Sequence, residues 1–150
     1  MKKIASFIIC IFSVICLNAQ NPLNNNADNI IGTYLCKQKD NSFKVKIEKL
    51  SDGTYKGQLC WIEKDKDKDG NKLLDKKNSN KKLRNTPLDR VVIFRGLKYN
   101  AKEKIWDDCK IYDPQRGVEA KLEIWFEKDG TLRVKGSKWG FSESVYWQKL

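Results

Sequence analysis

The stretch from Val91 to Leu150 leaves no interval for a helix. Val91-Val92-Ile93-Phe94 opens one strand. Ile105-Trp106 to Tyr112 forms another and ends on the turn Asp113-Pro114-Gln115-Arg116-Gly117. Lys121 to Glu127 alternates polar and apolar, as a strand with one wet and one dry face must. Asp129-Gly130 is a hairpin signal, because glycine accepts the positive φ of a type I′ turn. Leu132-Arg133-Val134-Lys135 resumes the alternation. This half predicts an antiparallel meander, with strands near 91–99, 104–112, 119–127, 131–138 and 142–149.

The same rhythm runs earlier in the chain. Thr33 to Cys36 starts a strand. Phe43, Val45 and Ile47 oppose Lys44, Lys46 and Glu48 in a second, and Tyr55 to Ile62 makes a third with Tyr55, Gly57, Leu59 and Trp61 on one face. From about Asp65 to Arg90 the chain is too rich in Lys, Asn and Asp for a strand and reads as one long polar loop. Short strands at this spacing predict an all-β, up-and-down barrel of about eight to ten strands, whose closure hides the sheet edges. A sandwich is the alternative.

Lys2 and Lys3 followed by the apolar run Ile4 to Leu17 have the form of an export signal, too short for a comfortable membrane span. Leu17-Asn18-Ala19 places the expected cut after Ala19. The expected organisation is a signal peptide over 1–19, a loose Asn-rich segment over 20–30 and a barrel domain over 31–150, with at most a short helix near 24–31 and another in the long loop. The expected location is the periplasm or the exterior, with no transmembrane span after processing. Removing 1–19 takes away two lysines and no acid, which lowers the net charge from +11 to +9. In an exported chain that basicity points to anionic envelope surfaces rather than nucleic acid. A merely solvated surface is the alternative.

Histidine is absent. That removes Ser-His and Cys-His nucleophile pairs and His-ligated zinc or haem. Cys36, Cys60 and Cys109 survive processing, an odd number that leaves at least one thiol unpaired. A Cys60–Cys109 bridge and burial as small hydrophobes both remain open. Asp107, Asp108 and Asp113 are the nearest carboxylate cluster for an enzyme.

Asp65-x-Asp67-x-Asp69-Gly70 has the alternate oxygen ligands of a calcium loop. The twelfth position holds Lys76 instead of Glu, and no helix signature flanks it. These three Asp are the metal candidates, calcium the candidate ion, and a polar surface turn the competing reading. The run Lys72 to Arg84 carries five lysines and one arginine against the single acid Asp75, a candidate patch for anionic surfaces. Five tryptophans are many for this length. Tyr34, Trp61, Trp139 and Trp147 are candidates to line a barrel cavity, or simply to fill it. Trp125 reads as outward. Arg95 shares parity with Val91 and Ile93, so it is a ligand candidate unless a bulge at Gly96 turns it out. Arg84 is placed to fold back onto a carboxylate and fix the long loop across one barrel mouth.

Several pieces, taken in order, resemble the exported bacterial proteins of the domain of unknown function 2147 family. They are Ile31-Gly32-Thr33-Tyr34, Gly57-Gln58-Leu59-Cys60-Trp61-Ile62, Asp69-Gly70 and Leu83-Arg84-Asn85-Thr86-Pro87-Leu88. Phe94-Arg95-Gly96-Leu97, Trp106 through Ile111-Tyr112-Asp113-Pro114, Asp129 to Gly136 and Trp147 complete the order. Tyr34 stands where the family usually has Trp. The resemblance implies a lipocalin-like, or calycin, barrel and no assigned activity. The expected function is an exported binding module holding a small amphipathic molecule or a cell-envelope component. A carboxylate-dependent enzyme and an interaction surface without a cavity are the alternatives.

Overall fold

A computed structural model describes residues 21–150. The expected signal peptide therefore lies outside the described residues. The strands are β1 Gly32–Cys36, β2 Phe43–Lys49, β3 Tyr55–Ile62, β4 Val92–Asn100, β5 Ile105–Asp113, β6 Val118–Phe126, β7 Leu132–Lys138 and β8 Phe141–Lys149. Each pairs antiparallel with the next, and β8 returns to β1 through Tyr34–Lys149 and Leu35–Gln148. The sheet closes into an eight-stranded barrel, as the spacing predicts. No helix among the described residues is long and apolar enough to cross a membrane.

The pleat sends alternate side chains inward. Leu122, Ile124 and Phe126 of β6 are buried while Trp125 faces out, half-exposed beneath the Arg133 guanidinium. Bulges break this parity in three strands. Between Lys44 and Val45 the partner on β3 advances two residues, from Trp61 to Leu59. On β4 the pairing skips near Ile93 and near Gly96, so Ile93 and Phe94 are both buried and Arg95 is exposed. On β5 one extra residue lies between Trp106 and Cys109, with Asp108 at φ 65°.

The segment expected to be loose apart from a short helix near 24–31 is ordered throughout. Residues Pro22–Asn25 and Ala27–Ile30 form two 3₁₀ turns that cover one end of the barrel. Four inward aromatics reach this segment with their polar tips. Tyr34 donates to the Ile30 carbonyl at 2.8 Å, Tyr99 to Asn24 O at 2.6 Å and Trp106 Nε1 to Ala27 O at 3.0 Å. Tyr55 donates to Asp28 Oδ1 at 2.6 Å. Buried Asn24 donates to Phe126 O at 2.9 Å and accepts from Phe126 N–H at 2.7 Å, so it acts as one more rung of β6. Asparagine can do this because its side-chain amide copies the peptide's donor and acceptor. Behind these tips Trp106 packs edge-on to Phe126 at 5.8 Å between centroids. This half of the barrel is solid.

The three cysteines among the described residues are free. Cys36 is buried, Cys60 is turned outward by the β3 bulge and Cys109 is half-buried on β5. The proposed Cys60–Cys109 bridge is therefore not formed.

Candidate functional site

The other half of the barrel is hollow. Its walls change material along the same strands. Where the closed end has Trp106, Phe126 and Tyr55, the open end has Ala120, Gly136, Val134 and Val145. Short side chains on β6, β7 and β8 leave a cavity of about 540 Å³, within the range that holds small organic ligands. Phe43, Leu59, Ile62, Ile93, Ile111 and Trp147 make the rest of the apolar wall. The rim is polar, with Gln38, Asn41, Gln115, Arg116, Lys138 and Glu143.

The long loop lies over part of this mouth. Leu73 and Leu88 face the cavity from it, and Leu74 bridges to Pro87. What fixes the loop is Asp75, the only acid in its basic run. Nearly fully buried, Asp75 accepts from the Tyr112 hydroxyl at 2.7 Å and from Asn78 Nδ2 at 2.6 Å. Burial first, and then the bond to Asp75, push the Tyr112 phenol well above its ordinary range. Tyr112 therefore remains the donor at neutral pH. Lys77 donates to Gln115 O at 2.6 Å, and a Cβ added at Gly117 would lie 2.7 Å from Lys77 O. The loop thus sits in van der Waals contact with the β5–β6 turn, at a glycine whose φ of 70° already disfavours any side chain.

Of the candidate residues, Trp147 lines the cavity and stands beside Phe43 and Tyr34. Tyr34 lies in the solid half with its hydroxyl bound to Ile30. The β3 bulge turns Trp61 out, 40% exposed beneath the Lys44 ammonium. Trp139 occupies the β7–β8 turn, 86% exposed. Arg95 points outward: the skipped pairing near Ile93 breaks its parity with Val91 and Ile93, and that near Gly96 breaks its parity with Leu97. Arg84 does not reach a carboxylate; its Nε donates to Asn78 O at 2.7 Å, inside its own loop. Asp75 performs the fixing role expected of Arg84. Its lone acidity among lysines was the available signal, but nothing in the sequence says that it is buried.

The three loop carboxylates do not converge. Asp65 pairs with Lys72, and Asp67 accepts from the backbone N–H groups of Asp69 and Asn71 at 2.9 Å. Among the described residues no group of three acids or thiols is placed to hold a metal ion. Asp107, Asp108 and Asp113 are also dispersed. Asp107 accepts from Asn100, Asp113 caps the β5–β6 turn, and Lys98 holds the Asp108 carboxyl below its ordinary range. Burial pushes the Cys36 thiol up to about 11, against the opposing pull of the Trp147 and Gln38 side chains. Burial, then the neighbouring carboxylates, push Cys109 up to about 12. Both stay protonated at neutral pH and are poor nucleophiles.

A closed eight-stranded barrel with one plugged end and one apolar cavity at the other defines a lipocalin-like protein. A solved structure of HP1028 from Helicobacter pylori, described as belonging to the lipocalin family, is similar over 80% of this chain and 82% of that one. Its TM-score is 0.62 at 24% identity, a likeness of fold alone. A comparison with curated proteins found no match. The model of the domain of unknown function 2147, described as an uncharacterized protein conserved in bacteria, matches residues 32–149. The chain belongs to that family.

Proposed function

We propose that this chain is an exported binding module that holds one small amphipathic molecule in the open half of its barrel. The observation that carries the reading is the 540 Å³ cavity, apolar along its wall and polar at its rim. An apolar body in the cavity with a polar group at the rim would match both surfaces, and burial of apolar area supplies the affinity. The charged start and apolar run of residues 2–17 support export to the periplasm or exterior.

The test is uptake of the apolar fluorophore N-phenyl-1-naphthylamine, together with native mass spectrometry of protein purified from its original host. Saturable one-to-one uptake is expected. Ala120→Trp, which fills the cavity from β6, should lower the affinity at least about tenfold. Folded protein that neither takes up the fluorophore nor carries a co-purified small molecule would refute the reading.

A further inference from the structure

We propose that the mouth end of the barrel docks on an anionic lipid bilayer, with Trp139 and Phe141 as the inserted side chains. The cavity would then open toward the membrane, a consequence that rests on the ligand-binding reading above.

Three independent observations meet at this end. The first is exposure. Trp139 is 86% and Phe141 81% exposed, the two most exposed large apolar side chains among the described residues. Leu83, in the basic loop at the same end, is 47% exposed. The second is backbone conformation. Lys138 and Phe141 pair across a two-residue turn in which Trp139 has φ 50° and Gly140 φ 82°. Such turns favour Asn, Asp and Gly, and a bulky aromatic there is strained. Trp139 therefore carries both a conformational and a hydration cost, and the Lys138 ammonium lies over its ring at 4.5 Å. Strain of this kind persists at sites of function.

The third is charge. The connections at the mouth end, residues 37–42, 63–91, 114–117 and 139–140, hold thirteen Lys and Arg against seven Asp and Glu, a net +6. The described segments at the closed end, residues 21–31, 50–54, 101–104 and 127–131, hold three Lys against five acids, a net −2. The molecule is thus polarised along the barrel axis, positive where its aromatics are exposed. Anionic headgroups attract the lysines, and an indole ring with one polar edge suits the headgroup boundary. A protein partner fits less well. Specific interfaces need about 800 Å² of surface on each side with few lysines at the centre, whereas these apolar tips stand on separate turns among lysines.

Mixed phosphatidylcholine–phosphatidylglycerol vesicles test this directly. The wild type should co-sediment with them, weakly at physiological salt and strongly at low salt, and not with phosphatidylcholine alone. The double variant Trp139→Ser, Phe141→Ser removes only exposed side chains, so its thermal unfolding serves as the control for folding. It should lose at least about tenfold in partitioning. Lys81→Gln with Lys82→Gln should flatten the salt dependence. Lipids brominated near the headgroup should quench wild-type tryptophan fluorescence more than that of Trp139→Phe. Failure of the wild type to sediment overturns the proposal, as does binding that the double variant leaves unchanged. A concentration-dependent dimer broken by Trp139→Ser would make the occupant a second copy and also overturn it. Uptake of N-phenyl-1-naphthylamine without vesicles separates the two readings. Uptake without sedimentation refutes docking alone, and sedimentation with neither uptake nor a co-purified small molecule refutes the cavity reading alone.

Discussion

At the closed end, long aromatic side chains cross the barrel and bind backbone carbonyls of the N-terminal turns. At the mouth, small side chains leave space, and the covering loop is held through Asp75 to the Tyr112 hydroxyl and through Lys77 to the Gln115 carbonyl. The contrast has a physical basis. An aromatic with a polar tip fills volume and still satisfies its N–H or O–H, so Tyr34, Tyr99 and Trp106 make a plug whose polar tips are all bonded. The mouth contacts depend on one buried carboxylate, Asp75, and on lysines that water can solvate. So few contacts open at lower free-energy cost than the plug, and the mouth is the end expected to exchange with solvent.

Trp106→Ala strikes the plug hardest. It leaves a cavity beside Phe126 and frees the Ala27 carbonyl, so a loss of about 3–5 kcal/mol is expected in denaturant unfolding. The pair Asn24→Ala and Asp75→Ala measures the difference between the ends. Asn24→Ala leaves the buried N–H and C=O of Phe126 without their side-chain partner and should cost about 3 kcal/mol of global stability. Asp75→Ala should cost about 1–2 kcal/mol. Its effect should appear as faster hydrogen exchange in residues 73–88, with β-strand exchange unchanged. Equal global losses from both variants would erase the distinction.

Trp139→Asn should act in the opposite direction. Asparagine tolerates positive φ, so the variant should gain about 1 kcal/mol in thermal unfolding. A loss would mean that Trp139 makes contacts that support the fold. The smallest expected effect is a pH dependence of the plug. The Tyr55 hydroxyl first, and then the Lys49 ammonium, hold the Asp28 carboxyl below its ordinary 3.8. A carboxyl with a lowered folded pKa contributes stability that is complete above the unfolded value and is lost as pH falls through the folded one. Hydrogen-exchange protection of residues 21–31 should therefore weaken as pH drops below about 4, and Asp28→Asn should remove that dependence.

Much of this molecule was legible before folding. Strands β5 to β8 follow from alternation and from turns such as Asp129-Gly130, because the period of two is a local property of the chain. The expectations that failed were those about which way a side chain faces beyond a bulge. Trp61 shares parity with Tyr55 and Leu59 along the chain, yet the β2–β3 register counts two residues against one and turns it out. The bulge belongs to the pairing, so one strand read alone does not contain it. The N-terminal segment is legible only in part, for a related reason. Its asparagines look like loose chain by composition, but Asn24 has a strand partner 102 residues away.

The sequence by itself determined that this chain is an all-β barrel of a recognisable family, without the histidine that many active sites need. Those properties follow from residue type and local spacing. Only the tertiary structure decided that half the barrel is solid and half hollow, that Asp75 rather than Arg84 fastens the long loop, and that positive charge and exposed aromatics share the mouth. Each of these depends on which strands and loops meet across closure, and long-range pairing of that kind leaves no periodic trace in a single chain.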